Sequence, residues 1–62
     1  MKFKEYAIVP LRDVGGLPEE CDERQADFWG LYGISNDDDA YAIGDFKSKH
    51  DAKFIKDALD AS

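Results

Sequence analysis

The chain is poor in the residues that cross-link a protein or build metal and catalytic centres. It contains one cysteine, Cys21, and one histidine, His50, among 62 residues. A single cysteine cannot form a disulfide within the chain, and the two residues do not complete the four-ligand set of a structural zinc site. No apolar run is as long as a signal-peptide core or a membrane span. We therefore expect a cytoplasmic protein that needs no metal or cofactor and does not contact a membrane.

Basic residues are also scarce, above all in the middle of the chain. Lysine and arginine number 8 against 14 aspartates and glutamates, which gives a formal net charge of −6. Between Asp13 and Asp45 there are ten carboxylates and one base, Arg24, so this segment carries −9 and the remainder +3. Such a segment repels phosphate and attracts basic protein surfaces. Direct binding of nucleic acid is therefore disfavoured, and a protein partner with a basic surface is predicted.

The short length limits the architecture to one small domain over residues 1–62. A chain of this size buries roughly 60% of the surface that its unfolded form exposes. Its stability is therefore marginal, and a partner or a second copy would add to it. It also has little rigid structure with which to position catalytic groups. We predict a binding protein rather than an enzyme.

Two aromatic and branched segments predict a β-hairpin. Residues 28–34 and 40–46 are too short for helices and rich in strand-forming side chains. The residues between them, Asn36–Asp39, favour turns. The aspartates of this turn lack the glycine and the closing glutamate of an EF-hand loop, so we interpret them as a solvated turn rather than a calcium site.

An amphipathic helix is predicted after the hairpin. Ser48 can cap its first turn. Ala52, Ile55 and Leu59 recur at helical spacing, with Phe54 widening the apolar stripe. The helix is expected to pack on one face of the sheet.

A third strand is predicted over residues 3–11. Its odd-numbered apolar residues share one side: Phe3, Ala7, Val9 and Leu11. Residues 13–26 are either a long acidic loop or contain a short helix between Pro18 and Arg24, and the sequence leaves both open. The predicted fold is therefore α+β, with a three-stranded antiparallel sheet and one C-terminal α-helix on one face.

Both faces of the predicted hairpin are apolar. If four residues form the loop, one face carries Phe28, Tyr32, Ile34, Tyr41 and Ile43. The other carries Trp29, Leu31, Gly33, Ala42, Gly44 and Phe46. One helix covers only one face, so the Trp29 face is either the core or an open docking surface.

An open Trp29 face would offer a partner three large apolar anchors: Trp29, Leu31 and Phe46. Carboxylates of the loop and the hairpin tip would steer a basic partner toward it, which affects the association rate more than the affinity. These predicted steering residues are Glu19, Glu20, Asp22, Glu23, Asp37, Asp38 and Asp39.

The run GDFKSKHDAK over residues 44–53 resembles the last strand and helix of double-stranded RNA-binding domains. The resemblance implies that Lys49 and Lys53 contact phosphate groups of RNA. His50 departs from the pattern, because that family usually has a second lysine at this position.

In size, acidity and one-domain build, the chain is similar to small phage and mobile-element proteins of the anti-CRISPR inhibitor kind. That resemblance implies a protein that occupies a basic nucleic-acid-binding surface, or a protein interface, on a host enzyme. The leading hypothesis is therefore an acidic protein-binding module of this inhibitor type. The alternatives are a small homodimeric accessory protein of a larger assembly and a double-stranded-RNA-binding-like module that uses Lys49 and Lys53.

Overall fold

Four antiparallel strands and one α-helix make up the structure, a computed structural model that describes residues 3–62. In chain order the elements are β1 (Glu5–Val14), β2 (Leu17–Glu20), a 3₁₀ turn (Glu23–Gln25), β3 (Phe28–Ile34), β4 (Ala40–Phe46) and α1 (Lys49–Asp60). The strands pair antiparallel in the order β2-β1-β3-β4. The predicted α+β class, with an antiparallel sheet and one C-terminal helix, is confirmed.

The predicted number of strands is wrong, because the segment between the first two predicted strands forms β2. Gly15 and Gly16 have φ values of 61° and 85°, the left-handed backbone that a two-residue hairpin turn of type I′ requires. This turn folds β2 back on β1, which continues to Val14 instead of ending at Leu11. Both alternatives for residues 13–26 are also wrong. The segment is not one long acidic loop, and no helix lies between Pro18 and Arg24, because the chain there forms β2 and the start of the 3₁₀ turn.

The hairpin of β3 and β4 has the predicted bounds but a different register. Ile34 pairs with Ala40, so the loop holds the five residues 35–39 rather than four. Within the loop Asp38 has a φ of 67°. The Ser35 N–H donates to the Asp39 carbonyl at 2.9 Å, and Ser35 Oγ accepts from the Asp39 N–H at 3.2 Å. These local bonds close a turn one residue longer than predicted.

A β-bulge at Ile43 restores the predicted register between β3 and β4 further along β4. Leu31 pairs with Gly44 and Tyr32 with Ala42, which leaves Ile43 without a paired residue on β3. A register change of one residue moves side chains to the opposite face, and a bulge inserts the extra residue that moves them back. Two residues before the bulge therefore lie on the face opposite to the predicted one: Tyr41 and Ala42.

The helix α1 packs on the Trp29 face of the sheet. It begins after Ser48, whose Oγ accepts from the N–H three residues on at 3.1 Å, as the capping prediction requires. Ala52 on its inner side is fully buried. At its start, Lys49 Nζ lies 5.7 Å from the centroid of the Trp29 ring. Phe54, predicted to widen the buried stripe, is instead 69% exposed.

The core between α1 and the sheet is thin. Leu31 from the central strand β3 and Ala52 from α1 have no exposed surface. The ring of Phe3 lies against Gly33 at the other end of the same face, where glycine leaves room for it. The predicted side of Phe3 is wrong, because this residue precedes β1 and does not follow the alternation of that strand.

Candidate protein-binding face

The face of the sheet turned away from α1 is apolar and open. Side chains alternate between the two faces of each strand, and the antiparallel pairing aligns those of neighbouring strands. We call this surface the helix-free face; its apolar residues are Ala7, Val9, Leu11, Phe28, Tyr32, Ile34, Ala40 and Ala42. Apart from Leu11, which is 6% exposed, these side chains are half-buried or exposed. Open depressions remain on this face, so no element of residues 3–62 covers it.

The opposite face, under α1, holds the three predicted anchors. Leu31 has no exposed surface, and Trp29 and Phe46 are half-buried. The interpretation in which the Trp29 face stays open is therefore wrong, because α1 lies on it and Lys49 lies over the Trp29 ring. The structure shows the other interpretation, in which the Trp29 face forms the core. Leu31 has no surface to offer to a partner.

Two shallow depressions lie side by side on the helix-free face. The larger, of about 350 Å³, is bounded by Phe28 and Pro18. The smaller, of about 260 Å³, is bounded by Val9 and Ile34. Leu11 and Tyr32 line both depressions and form the ridge between them. A ligand that fills both must therefore present two groups, one on each side of this ridge.

The ridge is shaped by a close approach at Gly30. A Cβ added to Gly30 would lie 2.8 Å from Tyr32 Cε2 and 2.9 Å from Leu11 Cδ1. The absence of a side chain at Gly30 thus lets the Tyr32 ring and the Leu11 side chain lie against the backbone of β3. Because both contact atoms are at the far ends of side chains, a larger residue at position 30 would lift the ridge and reshape both depressions.

The rim of the helix-free face is acidic. Asp13 and Asp45 line the larger depression, and Glu20 lines the smaller one. No lysine or arginine lines either depression, and none of the three carboxylates forms an ion pair with a residue in the described range 3–62. An apolar surface flanked by these carboxylates is complementary to a partner surface that carries apolar and basic side chains.

Most of the predicted steering residues lie away from this face, at two ends of the sheet. Glu19, Glu20, Asp22 and Glu23 lie in β2 and the residues after it, and Asp37, Asp38 and Asp39 lie in the loop between β3 and β4. The pairs Leu11–Phe28 and Glu5–Ile34 mark these two ends. At about 3.3 Å per residue the ends are roughly 20 Å apart. The acidic residues therefore do not form one patch, and of the seven only Glu20 lines a depression.

Three of these carboxylates are partly neutralised within the chain. The exposed ion pairs are Arg12 with Glu19 at 3.3 Å, Lys49 with Glu23 at 2.5 Å, and Lys4 with Asp38. Exposed pairs of this kind contribute about 0–1 kcal/mol each to stability. Their main effect here is to lower the local negative charge at both ends of the sheet.

Cys21 lies half-buried directly after β2, which ends at Glu20. Its N–H donates to the Pro10 carbonyl at 3.1 Å. Burial raises the pKa of the Cys21 thiol, and the nearby Arg12 only partly opposes this shift. Since the thiolate is the reactive form of cysteine, the thiol stays protonated and weakly nucleophilic at neutral pH.

The lysines implicated by the RNA-binding resemblance are in different surroundings. Lys49 is paired with Glu23 and lies over Trp29, whereas Lys53 is exposed on α1. Across residues 3–62 no three His, Cys, Asp or Glu side chains are arranged to hold a metal ion. No helix in the same range has both the length and the apolar character needed to cross a bilayer.

No family model matches the chain, and no curated protein or solved structure is significantly similar to it. The candidate site therefore depends on the geometry of the chain itself. Part of it was visible in the sequence, because the alternation in residues 3–11 and 28–34 indicates the apolar side chains of this face. Asp13 and Asp45 were missed, since only the strand order brings them to its rim.

Proposed function

We propose that this chain is a non-enzymatic binding module whose helix-free face docks on a basic surface of another protein. The observation that carries the proposal is the juxtaposition of two apolar depressions with three carboxylates that form no ion pair within residues 3–62: Asp13, Glu20 and Asp45. The net charge of −6 and the carboxylates between Asp13 and Asp45 make the module acidic. The docking face is the one opposite to Trp29.

The helix-free face is long enough to contact an element of a partner along its length. It runs from the row of Glu5 and Ile34 to the row of Asp13 and Pro18. At about 3.3 Å per residue this is roughly 26 Å, most of the 33 Å that the molecule measures along its longest axis.

The charge on the rim favours a basic partner over a second copy of this chain. Two copies joined through this face would bring six carboxylates together without a compensating base from either lining. Like charges juxtaposed at an interface oppose association. A partner carrying lysine or arginine beside apolar residues would instead pair these carboxylates while covering the depressions.

A basic surface that binds nucleic acid has the chemistry that this face would recognise. By covering such a surface the module would exclude the phosphate backbone from it, since both ligands compete for the same positive charges. This is the inhibitor mechanism of the phage and mobile-element type, and it requires no catalytic group on the chain.

The proposal is tested by affinity capture from host cells with charge-matched variants. One variant neutralises the rim with Asp13→Asn, Glu20→Gln and Asp45→Asn. The control removes the same charge elsewhere with Asp22→Asn, Asp37→Asn and Asp39→Asn. We expect the rim variant to lose a partner that the wild type and the control variant both retain. A partner retained equally by all three would refute docking through the helix-free face.

A homodimer remains the second candidate because β4 is a sheet edge with apolar side chains. Tyr41 and Ile43 on this strand are 42% and 41% exposed, and an unpaired edge is a template for another strand. Sedimentation of the purified chain over a range of concentrations tests this function. A stable dimer that dissociates when Ile43→Lys is introduced would favour it, and a monomer throughout would exclude it.

A further inference from the structure

We infer that the helix-free face takes an amphipathic, basic α-helix of its partner, with two large apolar side chains that straddle the Leu11–Tyr32 ridge. This inference deepens the proposed function, because it names the element that the same face would bind. It follows from the shape of the face, from its length and from the placement of its three carboxylates.

The shape favours a helix over an extended segment. A sheet buries an apolar face by stacking against another layer, as α1 does on the opposite side of this sheet. An added strand would instead pair with the backbone edge of β4 and would leave the depressions of the face open. The two depressions share the ridge residues Leu11 and Tyr32. Side chains seven residues apart on one helix face lie about 10 Å apart along the axis, so a single helix presents apolar groups at separate points along the strands.

The length of the face sets the length of the helix. The face extends from the row of Glu5 and Ile34 to the row of Asp13 and Pro18. Eight residue steps along β1 cover roughly 26 Å at 3.3 Å per residue. A helix of about 18 residues is on the order of 27 Å long, so four to five turns would span the face.

The rim carboxylates define where the helix carries its charges. Glu20 flanks one depression on the β2 side, and Asp45 flanks the other on the β4 side. Asp13 adds a second carboxylate to the larger depression. A helix between these two sides would therefore carry lysine or arginine on both flanks of its apolar stripe.

The inference is tested with synthetic peptides of about 18 residues, the length of a helix that spans the face. The probe contains leucine at helical spacing and lysine elsewhere. A second peptide has the same composition except for two central prolines, which break the helix. A third replaces lysine by glutamate. Binding is measured by isothermal titration, and chemical-shift changes in the ¹⁵N-labelled protein locate the bound peptide.

We expect the helical Leu/Lys peptide to bind and to shift the amides of Val9, Gly30 and Ala42 most. The proline and glutamate peptides should bind at least about tenfold more weakly. The rim variant should lose about tenfold in affinity for the helical peptide, while the control variant stays within about threefold. Thermal unfolding of both variants checks that each remains folded.

Two outcomes would overturn the inference in different ways. Equal binding of the proline peptide would show that the face does not select a helix, and the proposed function would stand if the rim variant still loses its partner in cells. Equal loss of affinity in the rim and control variants would show that only the net charge attracts the peptide. Failure of the cellular test alone would count against the proposed function and not against the preference for a helix.

Discussion

Leu31→Ala tests the assignment of the core most sharply. Leu31 has no exposed surface and lies on the central strand β3 under α1. Truncating a fully buried leucine to alanine destabilises a protein by about 2–5 kcal/mol, from lost apolar burial and the cavity that remains. For 62 residues the free energy of unfolding is on the order of 3–9 kcal/mol. We therefore expect Leu31→Ala to remove a large part of the stability.

The assay is thermal unfolding followed by circular dichroism. At about 4–8 °C per kcal/mol for a domain of this size, a loss of about 2–5 kcal/mol should lower the midpoint by roughly 8–40 °C. Leu17→Ala is the matched control, because Leu17 is 71% exposed and surface truncations change stability by about 0.5 kcal/mol or less. If the two variants unfold at the same temperature, α1 does not cover the Trp29 face and the assignment of the helix-free face is wrong.

Three further predictions concern the cap, a glycine contact and a lysine. Ser48→Ala should destabilise the protein by about 1 kcal/mol in urea unfolding, since Ser48 Oγ caps α1; no change would mean that the cap contributes nothing. Gly33→Ala should cost about 1–3 kcal/mol, because its Cβ would lie 2.5 Å from the Phe3 ring, whereas at Gly44 it makes only ordinary contacts; equal effects of Gly33→Ala and Gly44→Ala would contradict the Phe3 placement. The hydrogen bond to Asp60 raises the pKa of Lys56 above its usual 10.5. The stability that this bond adds is therefore fully present below pH 10.5, and it is lost as the pH rises through the higher pKa of Lys56 in the folded protein. The urea midpoint of the wild type should therefore fall more as the pH is raised above 10.5 than the midpoint of Asp60→Asn. If the midpoints of both proteins fall equally with pH, the bond between Lys56 and Asp60 does not contribute to stability.

The features that were predicted correctly depend on chemistry close in sequence. The bounds of β3 and β4 follow from two strand-forming segments around a polar turn, and the start of α1 follows from the Ser48 cap. The antiparallel sheet with one helix then follows from connecting these elements. Such local signals do not depend on the rest of the fold.

The strand β2 was missed because residues 13–26 were interpreted as a long acidic loop or a short helix, although the segment contains the glycine pair Gly15 and Gly16. A pair of glycines is equally a two-residue hairpin turn, and their positive φ values show that they serve as one. The acidic residues after them disfavour a strand by propensity, but an edge strand tolerates polar residues and Pro18. The pairing with β1 decided the structure of this segment.

The alternation of apolar and polar residues does not identify which face of the sheet stays uncovered, because both faces of the hairpin are apolar. Alternation fixes a register only where one face is polar. The longer loop, closed by Ser35 and Asp39, and the bulge at Ile43 set the register instead. The helix α1 packs on the Trp29 face, where its small residue Ala52 is fully buried against the sheet.

The most direct test of the docking face is site-specific photo-cross-linking in cells. A photoreactive phenylalanine derivative replaces Tyr32 on the helix-free face in one variant and the exposed Phe54 on α1 in the other. We predict a cross-link to one partner protein from position 32 and none to that protein from position 54. Cross-links from position 54 alone, or no cross-link from position 32, would contradict docking through the helix-free face.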